Sequence, residues 1–237
     1  NRYPEPQPAD LKAAMAALYG VATEGIVVTR GADDAIDLLM RTFCRPGTDA
    51  VSICQPTFAA YAHFAHLQGA RVVEAPLAGD FAFEPDRFLA AVADEPALKL
   101  AFLCSPNNPT GDPIDPADVL RVADALPDTI VVLDEAYIEF ADIESLALEA
   151  TKRPNLVVLR TLSKAFGLAG ARIGAAIGHA ETIAMIARAL PPYPLPSPCI
   201  VAASAALAPA RRAIHAERIR RITAGGGRLG GVIAGAP

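Results

Sequence analysis

Seven short runs of apolar, largely β-branched residues recur along the 237-residue chain, with longer stretches of mixed character between them. The runs are GIVVTR, DAVSIC, ARVVEAP, LKLAFLC, TIVVLDE, NLVVLR and RIGAAIG. Most are near-continuously apolar, which suits strands covered on both faces rather than strands with one wet face. Helical periodicity falls between them, over residues 32–44, 58–67, 85–93, 116–125 and 180–190. In the first of these, Ile36, Leu39, Met40 and Phe43 share one helical side. The alternation predicts an α/β fold: a mainly parallel, mixed sheet flanked by helices.

Composition narrows the class. With 52% hydrophobic and 20% charged residues, the chain reads as a soluble globular protein with a sizeable core. A formal net charge of −5 leaves no basic footprint for nucleic acid. No apolar run approaches the ~18–20 residues of a membrane-spanning helix. Cys44, Cys54, Cys104 and Cys199 lie far apart, without metal-ligand spacing, and are expected to be reduced core thiols of a cytoplasmic protein. His63, His66, His179 and His215 are expected to pack rather than to ligate. Beyond the helix-forbidding LPPYPLPSP, residues 198–223 read as helical. The GGGRLGG run after them is expected to interrupt the helix, at roughly 1 kcal/mol per glycine relative to alanine. The last ten residues are expected to fray or to lead into a further part.

The polar residues that stand out fall where strands end, which is where open parallel sheets bind ligands. GIVVTR runs into GADDA, a glycine followed by a helix start that offers backbone N–H groups to an anion. LKLAFLC runs into SPNNPTG. TIVVLD ends in Asp134, with Tyr137 three residues on. NLVVLR runs into Thr161, Ser163 and Lys164, with Arg172 eight residues beyond the lysine. Each feature alone has a plain structural reading as a turn, a cap or a surface charge. Together they supply an amine nucleophile, a carboxylate, a phenol, a carboxamide and an anion pocket with an arginine. Pyridoxal 5′-phosphate needs that whole set: an amine for its aldehyde, an acid for its ring nitrogen, donors for its phenolate O3′, and an anion seat. Lys164 is expected to be buried there.

Seven stretches, RYPEPQP, TRGADDAIDLL, QPTFAAY, CSPNNPTG, DEAYIEF, RTLSKAFGLAGARIG and PPYPLPSP, resemble in order and spacing the fold-type I pyridoxal-phosphate aminotransferases. The likeness is greatest to the histidinol-phosphate aminotransferase subgroup. It implies that Lys164 holds the cofactor covalently and carries the proton, and that Asp134 pairs with the ring nitrogen. It further implies that Asn108 and Tyr137 donate to O3′ and that Phe58 stacks on the ring. Thr161, Ser163 and Arg172, with the backbone of Ala32 and Asp33, would hold the phosphate. Tyr3 would reach the cofactor of a partner subunit, making a homodimer with shared sites.

On this resemblance, residues 1–15 form an arm to the partner, 16–207 the cofactor-binding domain, and 208–237 a helix leading to an absent small domain. The implied reaction moves an amino group between histidinol phosphate and 2-oxoglutarate, in histidine biosynthesis. The alternatives are an aromatic amino-acid aminotransferase, a decarboxylase of a phosphorylated amino acid, and a truncated module that binds the cofactor without turnover.

Overall fold

The computed structural model describes residues 2–234. The predicted runs form seven strands: β1 (Ile26–Thr29), β2 (Ala50–Ile53), β3 (Arg71–Glu74), β4 (Leu98–Cys104), β5 (Ile130–Asp134), β6 (Leu156–Thr161) and β7 (Gly174–Ile177). They build one sheet in the order β1-β7-β6-β5-β4-β2-β3. Only β7 runs antiparallel to its two neighbours, so the sheet is mixed but mainly parallel, as the alternation predicts. Register aligns the strand ends. Cys104 pairs with Asp134 and Asp134 with Leu159, while Gly174 pairs with both Thr161 and Thr29. The carboxyl ends of β1, β4, β5 and β6 therefore share one edge of the sheet.

Helices cover both faces because the strand residues alternate. Leu100, Phe102, Val132, Val157 and Leu159 pack with α2 (Ala32–Phe43), α3 (Ala60–Gln68) and α7 (Ala180–Arg188). Their neighbours Ala101, Leu103, Val131, Leu133 and Val158 pack on the other side. That side is covered by α1 (Ala9–Tyr19), α4 (Pro85–Val92), α5 (Pro116–Ala125), α6 (Ala147–Ala150) and α8 (Ser197–Leu207). Each valine, leucine or phenylalanine among these, when fully buried, contributes about 1.5–3 kcal/mol, so two such layers hold the sheet firmly.

Several expectations are corrected. The periodic stretches had left out α1, whose Leu11, Met15 and Tyr19 recur every fourth residue and lie buried in an otherwise alanine-rich helix. Residues 198–223 are helical as expected, in two pieces. Pro209 lacks a backbone N–H and starts a second helix, α9 (Pro209–Ala234), after Ala208. The glycine run does not interrupt α9, which continues to Ala234; glycine lowers helix stability without a steric bar to helical dihedrals. The expected fraying falls partly on residues 235–237, outside the described residues. His63 and His66 face solvent instead of packing, and Cys199 is only half-buried, while the other three cysteines are in the core. Among the described residues no helix is long and apolar enough to cross a membrane.

The contact that seats β7 against the start of α2 is made glycine to glycine. A Cβ on Gly174 would stand 2.6 Å from the carbonyl carbon of Gly31 and 2.9 Å from the nitrogen of Ala32. Both obstacles are backbone, so relief requires the sheet edge to move. Gly174→Ala is expected to cost about 2–3 kcal/mol, as overpacking does, and to lower Tm by about 5–10 °C. Gly170→Ala, with open space around it, serves as the control and should shift thermal unfolding little.

Candidate active site

The anion seat is assembled from two turns. Thr29, the last residue of β1, donates its hydroxyl to the carbonyl of Gly31 at 2.8 Å. Gly31 takes a φ of 88°, in the region that favours glycine. Asp34 accepts the backbone N–H of Arg30 at 2.9 Å and its guanidinium at 2.8 Å, which folds the chain back just before α2. The first N–H groups of α2, at Ala32 and Asp33, have no partner within the helix and carry its positive end.

Facing them is the loop after β6. Ser163 donates its N–H to the hydroxyl of Thr161 at 3.1 Å, and the two hydroxyls lie 2.9 Å apart. Arg172, whose φ of 53° is unusual for a residue with a side chain, donates to Asp33 at 2.7 Å and to Ser163 at 3.4 Å. The sequence assigned only the backbone of Asp33 to this seat; the structure brings its carboxylate there as well.

Asp134 forms the floor. It is the last residue of β5 and only 3% exposed. Its Oδ1 accepts the N–H of Ala136 at 3.0 Å, and its Oδ2 accepts the hydroxyl of Tyr61 at 2.8 Å. Burial pushes its pKa up to about 6, against the opposing pull of those two hydrogen bonds. Among the described residues it forms no ion pair.

The next residue turns the other way into a buried network. Glu135 accepts from Ser145 at 2.6 Å, from the N–H of Leu146 at 2.8 Å and from Arg160 at 3.3 Å. Arg160 also donates to Glu139 at 2.7 Å and lies 4.5 Å over the ring of Tyr19. This network anchors the segment that carries Asp134 and Tyr137.

All the predicted residues except Tyr3 line one open-mouthed pocket, together with Cys104 and Ala136. Phe58, Asn108 and Tyr137 are its half-buried walls. Asn108 is presented by Asn107, whose amide donates to the carbonyl of Pro56 at 2.9 Å and to Thr110 at 3.0 Å. Asn107 also accepts from Thr57 at 2.9 Å.

Lys164 corrects an expectation. It is exposed rather than buried, at the mouth of the pocket, with its ammonium 5.1 Å from the centre of the Tyr137 ring. Tyr3 is 80% exposed and stacks on Tyr193 at 4.6 Å, outside the pocket. Tyr61 and Asn107 were not picked out from the sequence. Tyr61 stands three residues after Phe58 in QPTFAAY, and that spacing was the available signal.

A buried carboxylate without a cation of its own, at one end of a pocket, and donors for an anion at the other, together suit a ligand with a protonated ring nitrogen and a phosphate. Pyridoxal phosphate fits both poles, and Lys164 at the mouth can meet its aldehyde. With the mixed seven-stranded sheet, this places the molecule among the fold-type I enzymes that work through that cofactor. The chain belongs to the aminotransferase class I and II family, whose model matches residues 1–224.

It is 44% identical over 237 residues to the histidinol-phosphate aminotransferase of Xylella fastidiosa (strain 9a5c), covering 99% of this chain and 65% of that one. The solved structure of histidinol-phosphate aminotransferase from Sinorhizobium meliloti, in complex with pyridoxal-5′-phosphate, aligns with a TM-score of 0.83 at 31% identity. That match covers 94% of this chain and 59% of the other. L-threonine-O-3-phosphate decarboxylase from Porphyromonas gingivalis aligns with a TM-score of 0.73 at 27% identity, over 87% of this chain and 63% of its own. The chain thus spans about 65% of the length of the first of these relatives.

The raised pKa of Asp134 has a consequence for stability. With about 6 in the fold against an ordinary 3.8, its contribution is full below pH 4 and is lost as pH rises through 6. Asp134→Asn, which stays neutral, is therefore expected to stabilise the cofactor-free chain at pH 8 by about 2–3 kcal/mol. Near pH 4 the gain should vanish. Thermal unfolding at the two pH values checks this.

Proposed function

We propose that this chain carries the cofactor-binding part of an aminotransferase that exchanges an amino group between histidinol phosphate and 2-oxoglutarate. One observation carries the reading: the buried carboxylate of Asp134, in no ion pair among the described residues, shares a pocket with Lys164 and with the seat formed by α2 and Arg172. The substrate assignment draws support from the names of the relatives at 44–47% identity.

Bound pyridoxal phosphate supplies an aldehyde that captures amines and a ring that takes up the electrons released at the substrate's Cα. The side chains do the rest. Thr161, Ser163, Arg172 and the N–H groups of Ala32 and Asp33 hold the phosphate; a planar guanidinium suits it. Asp134 keeps a proton on the ring nitrogen by placing a negative charge beside it. Asn108 and Tyr137 donate to O3′, and Phe58 stacks on the ring. Lys164 would hold the cofactor through its Nζ and would serve as the base that moves the proton from the substrate's Cα. Its position at the pocket mouth leaves it free to swing between the two tasks.

In this reading Tyr3 serves the site of a second copy, in a homodimer. An exposed tyrosine near the start of the chain suits that reach, with its ring resting on Tyr193 in the single chain.

Borohydride reduction of the cofactor-loaded protein is expected to leave one phosphopyridoxyl group, on Lys164, by intact and peptide mass. Lys164→Ala should lower turnover with histidinol phosphate at least a thousandfold while leaving phosphate-dependent cofactor binding within about tenfold. Absence of the adduct would remove every cofactor-based reading. An absorbance change with phenylalanine but not with histidinol phosphate would assign an aromatic substrate. Release of CO₂ from a phosphorylated amino acid would assign the decarboxylase. A bound cofactor unresponsive to any amine would leave a binding module.

A further inference from the structure

We propose that Tyr61 is a positioning residue of this site, whose hydroxyl fixes the rotation of the Asp134 carboxylate and turns it toward the ring nitrogen of the cofactor. The inference rests on the proposed cofactor reading and adds a residue to it. Tyr61 lies in the first turn of α3 and is fully buried. Its ring is stacked on Phe102 of β4, with centroids 4.8 Å apart and planes 18° apart. It meets Phe58 edge-on, at 5.6 Å and 87°. The ring is held between the sheet and the stacking residue, and its hydroxyl donates to Oδ2 of Asp134 at 2.8 Å.

The carboxylate needs such a clamp. The last torsion of an aspartate is broad, and among the described residues Asp134 forms no ion pair to orient it. Ala136 holds Oδ1 and Tyr61 holds Oδ2, so the plane of the group is set by two donors, one on each oxygen. Burial keeps the Tyr61 hydroxyl protonated, well above the usual tyrosine range, so it donates at every working pH. The same ring supports Phe58. One residue thus supports the stacking side chain and the acid that would face the ring nitrogen.

The groups that face Asp134 are Tyr61 from α3, Cys104 from β4, Asp33 from α2 and Lys164 from the loop after β6. Tyr61 and the N–H of Ala136 favour its ionised form, and so does the more distant Lys164; Asp33 opposes it. Removing only the Tyr61 hydroxyl should raise the pH at which Asp134 titrates.

Tyr61→Phe keeps both aromatic contacts and deletes the donor. In the cofactor-free chain, ¹³C NMR of labelled aspartate carboxyls, with Asp134 assigned through Asp134→Asn, should show its midpoint rising by about one pH unit. Pyridoxal phosphate should then bind on the order of tenfold more weakly at neutral pH. A purely packing role predicts an unchanged midpoint and unchanged affinity, and that pair of results would overturn the proposal. If the wild-type chain itself bound no pyridoxal phosphate, the functional reading would fail, while the titration would still decide whether Tyr61 governs Asp134. Should Tyr61→Phe not fold, recovery of folding by adding Asp134→Asn would show that the lost partner was the carboxylate. Failure to recover would count against the proposal.

Discussion

A carboxylate buried at the end of a strand, in no ion pair among the described residues, is the feature around which this molecule is organised. Leaving Asp134 3% exposed costs stability at neutral pH, since burial outweighs its hydrogen bonds and drives its pKa up to about 6. Two hydrogen bonds soften that cost without cancelling it. A group held in this condition is poised for a positive charge in contact with it, and in the proposed reading the protonated ring nitrogen of pyridoxal phosphate would supply one. The neighbouring acid shows the contrast. Glu135 is as deeply buried, yet it has Arg160, Ser145 and the N–H of Leu146, and its role is to hold the loop. Adjacent carboxylates thus divide into one that is satisfied and one that waits.

The rest of the fold serves that placement. In a parallel sheet the strand ends line up by register, and here the pairings Cys104–Asp134 and Thr161–Gly174 set the exits of β4, β5, β6 and β1 on one edge. The glycine contact between Gly174 and Gly31 lets the start of α2 approach close enough for its N–H groups to face Ser163 and Arg172. Strain is kept local: Arg172 adopts a left-handed φ that its neighbours impose through Asp33, Ser163 and the carbonyl of Ala169. Two large apolar layers carry that strain and the buried acid together.

Much of this could be read from the residues in order. The seven strands, the sheet class and the residues at the strand exits follow from continuous apolar runs and from polar residues placed where such runs stop. What escaped the sequence escaped for physical reasons. The helix α1 is dominated by alanine, so its apolar side contrasts weakly with the rest. A glycine run lowers helix stability without forbidding it, so α9 continues where composition suggested a stop. Tyr61 looks like core, and it is core; only the direction of one hydroxyl makes it part of the site, and direction is not written in a hydrophobic pattern. The exposure of Lys164 is likewise a matter of how the loop after β6 turns, which neither periodicity nor motif specifies.

Charge balance across the pocket explains why the anion seat is already formed. A lone guanidinium beside the positive end of α2 would be repelled by it, and Arg172 would have little reason to stay. Asp33 answers both problems with one carboxylate, pairing with Nη2 of Arg172 while Nη1 rests near Ser163 and the carbonyl of Ala169. The guanidinium has donors to spare, so a phosphate entering here can share Arg172 with Asp33 instead of displacing it. Binding then requires no ordering of the arginine, and the entropy of fixing that long side chain has already been spent in folding. At the far pole Tyr61 does the same for Asp134 with a neutral donor, so that both ends of the ligand would meet groups whose orientation is settled before it arrives.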